Sequence, residues 1–126
     1  MNQIDQSAPP PEVSSDLIDI GDFIKVKLRV GRIESAEPIP KSEKLLKLQV
    51  DLGPELGRRQ ILSGIAKFYT PENLVGRRIV VLVNLKPAKM MGQESHGMLL
   101  ASSNADMSQL VIVDPGQEME LGATVR

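Results

Sequence analysis

At 126 residues, with a net charge of −1 and no cysteine, the chain can bury one core of ordinary size but cannot hold a catalytic domain beside a binding domain. The lack of cysteine excludes disulfides and thiolate metal ligands; with no apolar run near the roughly 18 residues of a membrane span and no signal segment, the expected setting is cytoplasmic, without a membrane partner. The even charge hides a split, since residues 21–101 hold 14 Lys or Arg against 8 Asp or Glu while both tails are acidic.

Residues 1–15, with Pro9, Pro10 and Pro11 in a polar setting, read as a disordered leader, and residues 16–126 as the folded part. The stretch DLIDIGDFIKV, 16–26, predicts a short helical turn capped by Asp19. A first strand opens near Lys27. Leu28 and Val30 share a face, Ile33 falls on the opposite parity, and the break at Gly31 predicts the bulge or bend that lets one long strand serve both halves of a closed sheet.

A second strand, Lys44 to Asp51, turns Leu46, Leu48 and Val50 to the core and stops at Gly53 and Pro54. A third, Arg58 to Ile65, sets Ile61, Ser63 and Ile65 against Gln60 and Leu62. Thr70, Pro71, Glu72 and Gly76 then mark a short helix, with a hydroxyl cap, a proline in the first turn, an acid at the positive end and a glycine stop. Strand four, Arg78 to Leu85, and strand five, Gly97 to Ala101, are apolar on both faces, so a partner or the tail must cover the surplus. The candidate tail is Gln109 to Val113, followed by Pro115, Gly116 and a closing segment.

Three strands, a helix and two more strands predict an all-β, five-stranded OB-fold barrel with a short helix between strands three and four and terminal extensions. Such barrels bind beside the loops joining strands one to two and four to five. The second of these loops is basic: Lys86 and Lys89 flank Pro87, which fixes one φ angle and stiffens the presentation of two ammonium groups. Lysine gives a phosphate a compact charge without demanding paired geometry, which suits reading a backbone's shape.

The run NLKPAKMMGQESHGMLLAS, residues 84–102, together with SEKLLKL at 42–48, resembles the tRNA-binding OB-fold family: the C-terminal domain of bacterial methionyl-tRNA synthetases, free-standing tRNA-binding proteins and the endothelial monocyte-activating polypeptide domain. The resemblance covers most of the chain. It implies a tRNA partner, a homodimer, and tRNA-binding roles for Lys44, Asn84, Lys86, Lys89, Ser95 and Met98, with the Ser95 hydroxyl and Met98 thioether at the barrel mouth. It also leaves open whether the domain stands free or adds dimerisation and tRNA affinity to a synthetase whose KMSKS loop is missing here. Met1 and the leader favour a complete short chain.

Lys41, Lys44 and Lys47 cannot face one ligand on a strand, and lysines commonly blunt exposed strand edges. His96 lacks companions at metal-ligand spacing, and Ser95 beside it is no nucleophile, because neighbouring strand side chains diverge. No catalytic residue, metal or cofactor is expected. With only Phe23, Phe68 and Tyr69 as aromatics, a general single-strand binder is disfavoured against folded RNA. The alternative function is a dimeric chaperone of related fold that holds unfolded or exported polypeptides in an apolar groove.

Overall fold

Strands form where the sequence alternates and helical turns where it offers a cap. The computed structural model describes residues 16–126, so the leader expected over 1–15 lies outside the described residues. In chain order the elements are α1 (Ile20–Ile24), β1 (Leu28–Pro38), β2 (Leu46–Asp51), α2 (Gly53–Leu56), β3 (Arg58–Ser63), α3 (Pro71–Leu74), β4 (Arg78–Leu82), β5 (Ala88–Met90), β6 (Gln93–Ser95), β7 (Met98–Leu99), β8 (Ala101–Ser103), β9 (Leu110–Ile112) and β10 (Thr124–Val125). No helix among the described residues is long and apolar enough to cross a membrane.

The main sheet runs β3-β2-β1-β4-β7, with β10 added to β1. β1 serves both halves: Leu28 to Arg32 pair with β4, and Arg32 to Pro38 with β2, all antiparallel. The gap between β3 and the β6–β7 segment is bridged by the His96 N–H donating to the Gln60 carbonyl at 2.8 Å. A second bridge is the Leu62 N–H donating to the Ser95 hydroxyl at 3.0 Å. The result is the expected five-stranded antiparallel barrel, nearly closed, with Ile33, Leu46, Leu48, Val50, Ile61 and Ile79 in its core.

The helical turns keep their expected places. Asp19 caps α1, where the Asp22 carboxylate accepts from the Asp19 N–H at 3.3 Å. Thr70 is the N-cap of α3 and Pro71 its first residue. The stop at Gly76 adopts φ +91°, a conformation that costs glycine little.

The expected bend at Gly31 needs correction. Gly31 and Ile33 both face the core, so alternation runs unbroken through the glycine, and the register with β2 slips between Ile33 and Ser35 instead. Parity misled because Val30 is apolar yet buried on the other side of the strand. Gly31 is there for space: a Cβ would stand 2.7 Å from Val50 Cγ1 and 2.8 Å from Leu52 Cδ2. Only bare backbone lets β1 lie against those side chains.

The apolar surplus also sits elsewhere than expected. Ile79, Val80 and Val81 are all buried within the chain, so strand four needs no outside cover on either face. That strand ends at Leu82 rather than Leu85. The run expected as strand five is divided: Met98–Leu99 pair with β4, whereas Ala101–Ser103 leave the main sheet to pair with β9, which falls within the expected tail run Gln109 to Val113. Between β8 and β9 the Ser108 hydroxyl and backbone N–H hold the Asp106 carboxyl below its ordinary range. The closing segment returns to β1, where the Gly122 N–H donates to the Val30 carbonyl at 2.7 Å and the Val30 N–H to Ala123 at 2.9 Å.

Candidate nucleic-acid interface

The segment from Val83 to Gly97 crosses the barrel mouth between β4 and β7, and its base is tied from several sides. The Asn84 amide accepts the Lys27 N–H at 2.9 Å and donates to the Lys25 carbonyl at 2.7 Å. The Arg59 guanidinium donates to the carbonyls of Val83 and His96, joining the two ends of the segment. Between them β5 and β6 form a hairpin whose turn, Met91–Gly92, has φ of +50° and +76°. Positive φ at both central residues matches the natural twist of paired strands. The hairpin sets Lys89 opposite Glu94, whose carboxylate lies 3.1 Å from His96 Nε2.

Lys86 and Lys89 are exposed on this segment, and among the described residues neither has a carboxylate within ion-pair distance. Lys44 is also exposed, but it lies on the separate β1–β2 loop. There the Ser42 hydroxyl accepts the Leu45 N–H at 3.1 Å, and the Lys44 carbonyl accepts the Ala66 N–H at 2.9 Å. Its neighbour Lys47 turns to Glu37 at 3.9 Å, so the three lysines of this stretch do not act together.

The other expected residues have structural employment. The Asn84 amide is committed to backbone. The Ser95 side chain is buried, accepts the Leu62 N–H and donates to the Gly97 carbonyl at 3.0 Å, so its hydroxyl does not face the mouth as expected. Met98 is 44% exposed and pairs across to Leu82. Ser95 and His96 diverge, with no hydrogen bond between them among the described residues.

Sequence reasoning passed over the start of β3. Arg58, Arg59 and Gln60, with Leu85, Pro87 and His96, line a depression of about 420 Å³ beside Lys86. The adjacent arginines are the available signal, but at the head of a strand they read the same as solvated strand residues. Among the described residues, no group of three or more His, Cys, Asp or Glu is placed to hold a metal ion.

Residues 28–124 match the family model of the tRNA binding domain. The chain belongs to the tRNA-binding domain family. This tRNA-binding domain is 51% identical over 109 residues to the methionine-tRNA ligase of Clostridium perfringens, covering 86% of this chain and 16% of that one. The chain thus spans about a sixth of the length of that relative. Among solved structures, the MetRS-related protein from Pyrococcus horikoshii shares 38% identity at a TM-score of 0.81, covering 87% of this chain and 98% of that one. The chaperone CsaA from Bacillus anthracis shares 31% identity at 0.78, covering 87% and 99%. A synthetase-related protein and a chaperone therefore wear the fold of this tRNA-binding domain.

Proposed function

We propose that this tRNA-binding domain binds folded tRNA without catalysing a reaction, either free-standing or as an appendage of a methionyl-tRNA synthetase. The observation that carries the reading is the pair of exposed ammonium groups of Lys86 and Lys89, without a carboxylate in ion-pair distance among the described residues, on a segment whose base is fixed by Asn84 and Arg59. A held loop presents its charge without first losing conformational entropy, which favours recognition by shape. Lys44 adds charge from the β1–β2 loop.

The aromatics support folded RNA over a stacked single strand. The Tyr69 hydroxyl accepts the Ile112 N–H at 3.1 Å, Phe23 lines a groove beside α1, and neither they nor Phe68 line the depression at the loop. Labelled tRNA should bind the domain, be displaced by unlabelled tRNA, and resist displacement by a permanently unfolded polypeptide. Displacement by the polypeptide, with weak tRNA binding, would favour the chaperone reading.

That second reading and the homodimer draw on the same feature. α1 buries no residue, and Ile20, Ile24 and Val26 are 74%, 58% and 39% exposed along a groove of about 530 Å³ shared with Leu28 and Val125. An apolar groove left uncovered by the described residues supports a homodimer in which α1 meets the partner. Sedimentation at micromolar concentration should give twice the chain mass, and Ile20→Asp with Ile24→Asp should return it to one chain. A monomeric wild type would remove the dimer from the proposal.

A further inference from the structure

The depression at the start of β3 has the chemistry of an anion subsite, although its residues lie on a strand rather than on the two loops. A guanidinium carries five N–H donors. Arg59 spends one nitrogen on the carbonyls of Val83 and His96, and its other donors make no hydrogen bond among the described residues. Its charge is held in place by carbonyl oxygens, and among the described residues no carboxylate lies within ion-pair distance of it.

Arg58 is 67% exposed in its side chain and lies 3.5 Å from Glu34, but that carboxylate is shared with Arg32 at 2.9 Å. Arg32 has a second carboxylate in Asp51 at 3.8 Å, so that cluster is balanced, and the charge left over at the depression is that of Arg59. His96 has its own carboxylate in Glu94. On the opposite side Leu85 and Pro87 give an apolar wall, with Lys86 between them in the chain. A cavity of about 420 Å³ is large enough for a group the size of one nucleotide.

We propose that this depression is a phosphate-and-sugar subsite for the RNA strand that crosses the loop. Arg59 grips one backbone phosphate with the donors its carbonyl partners leave free, and the attached sugar leans on Leu85 and Pro87; Arg58, its neighbour on the strand, turns the other way to Glu34. The inference rests on the tRNA reading of the loop and extends it from the flexible lysines to a positioned guanidinium. Guanidinium suits the task because its planar fork can meet two phosphate oxygens at once.

The test titrates tRNA against wild type, Arg58→Ala, Arg59→Met and Arg59→Lys over a range of salt, with a thermal melt of each. Loss of one phosphate contact removes about 0.7 to 0.9 from the slope of log K against log salt, and roughly five- to eightfold in affinity at 0.1 M salt. Arg59→Met should show both changes with a lower melting temperature, and Arg59→Lys should keep the slope while binding several-fold more weakly. Arg58→Ala, whose guanidinium turns to Glu34, should keep the wild-type slope and melting temperature. If Arg59→Met keeps wild-type affinity and slope while Lys86→Ala loses both, or if Arg58→Ala loses as much as Arg59→Met, the subsite is overturned and the loop reading stands. If wild type itself fails to bind tRNA, both fall. Should Arg59→Met not fold, Arg59→Lys decides: wild-type affinity in that variant overturns the subsite.

Discussion

Ser95→Ala should destabilise the domain by about 2 to 4 kcal/mol and lower its melting temperature by roughly 10 to 20 °C. The Ser95 hydroxyl satisfies two backbone groups at once, the Leu62 N–H at 3.0 Å and the Gly97 carbonyl at 3.0 Å, from a residue only 3% exposed. Alanine leaves both groups buried and unpaired, at about 1 to 3 kcal/mol for each such loss. The position matters because it lies where β3 meets the crossing segment and the barrel closes. A loosened closure frees the loop that carries Lys86 and Lys89, so tRNA affinity should fall through lost order while the salt slope stays the same. An unchanged melting temperature would mean that water replaces the hydroxyl and that Ser95 is free to serve a ligand.

Gly53→Ala should cost about 2 to 5 kcal/mol, the sum of a positive-φ penalty and an overpacked contact. Gly53 has φ +89°, and a Cβ there would stand 2.6 Å from the Leu121 carbonyl oxygen. The obstacle is backbone, so no rotamer change relieves it. The returning tail must move, and with it the hydrogen bonds of Gly122 and Ala123 to Val30 and the pairing of β10 with β1. Because Thr124, Val125 and Arg126 wall the α1 groove, self-association should weaken in step with the melting temperature. Gly21→Ala, with nothing within 4 Å of the new carbon, is the matched control and should melt like wild type or slightly higher. Equal melting temperatures for the two variants would show that the tail contributes little to the fold.

Local rules carried the reading of this chain wherever a residue's neighbours in sequence are also its neighbours in space. β2 follows from its strict alternation, and α3 from Thr70, Pro71 and Gly76. The rules failed where a side chain answers to a distant strand. Val30 looked like core and is buried on the other side, which moved the expected slip to Gly31 when it occurs near Glu34. The β5–β6 hairpin was invisible because AKM and QES are short and nearly devoid of apolar alternation, leaving Gly92 as its only mark.

At the site, the exposed lysines were legible because a charge beside a proline in a loop has few partners nearby. Ser95 was not, since a serine in SHGM reads the same whether its hydroxyl meets a ligand or a backbone amide 33 residues away. Arg59 was equally hidden, as the carbonyls that fix it lie 24 and 37 residues on.

Titrating tRNA with wild type and with Lys86→Ala/Lys89→Ala across a salt series measures the contact most directly. Wild-type log K should fall linearly with log salt, and the double variant should have a slope shallower by about one to two units with an unchanged melting temperature. Identical slopes for the two proteins would contradict placing the RNA on this loop.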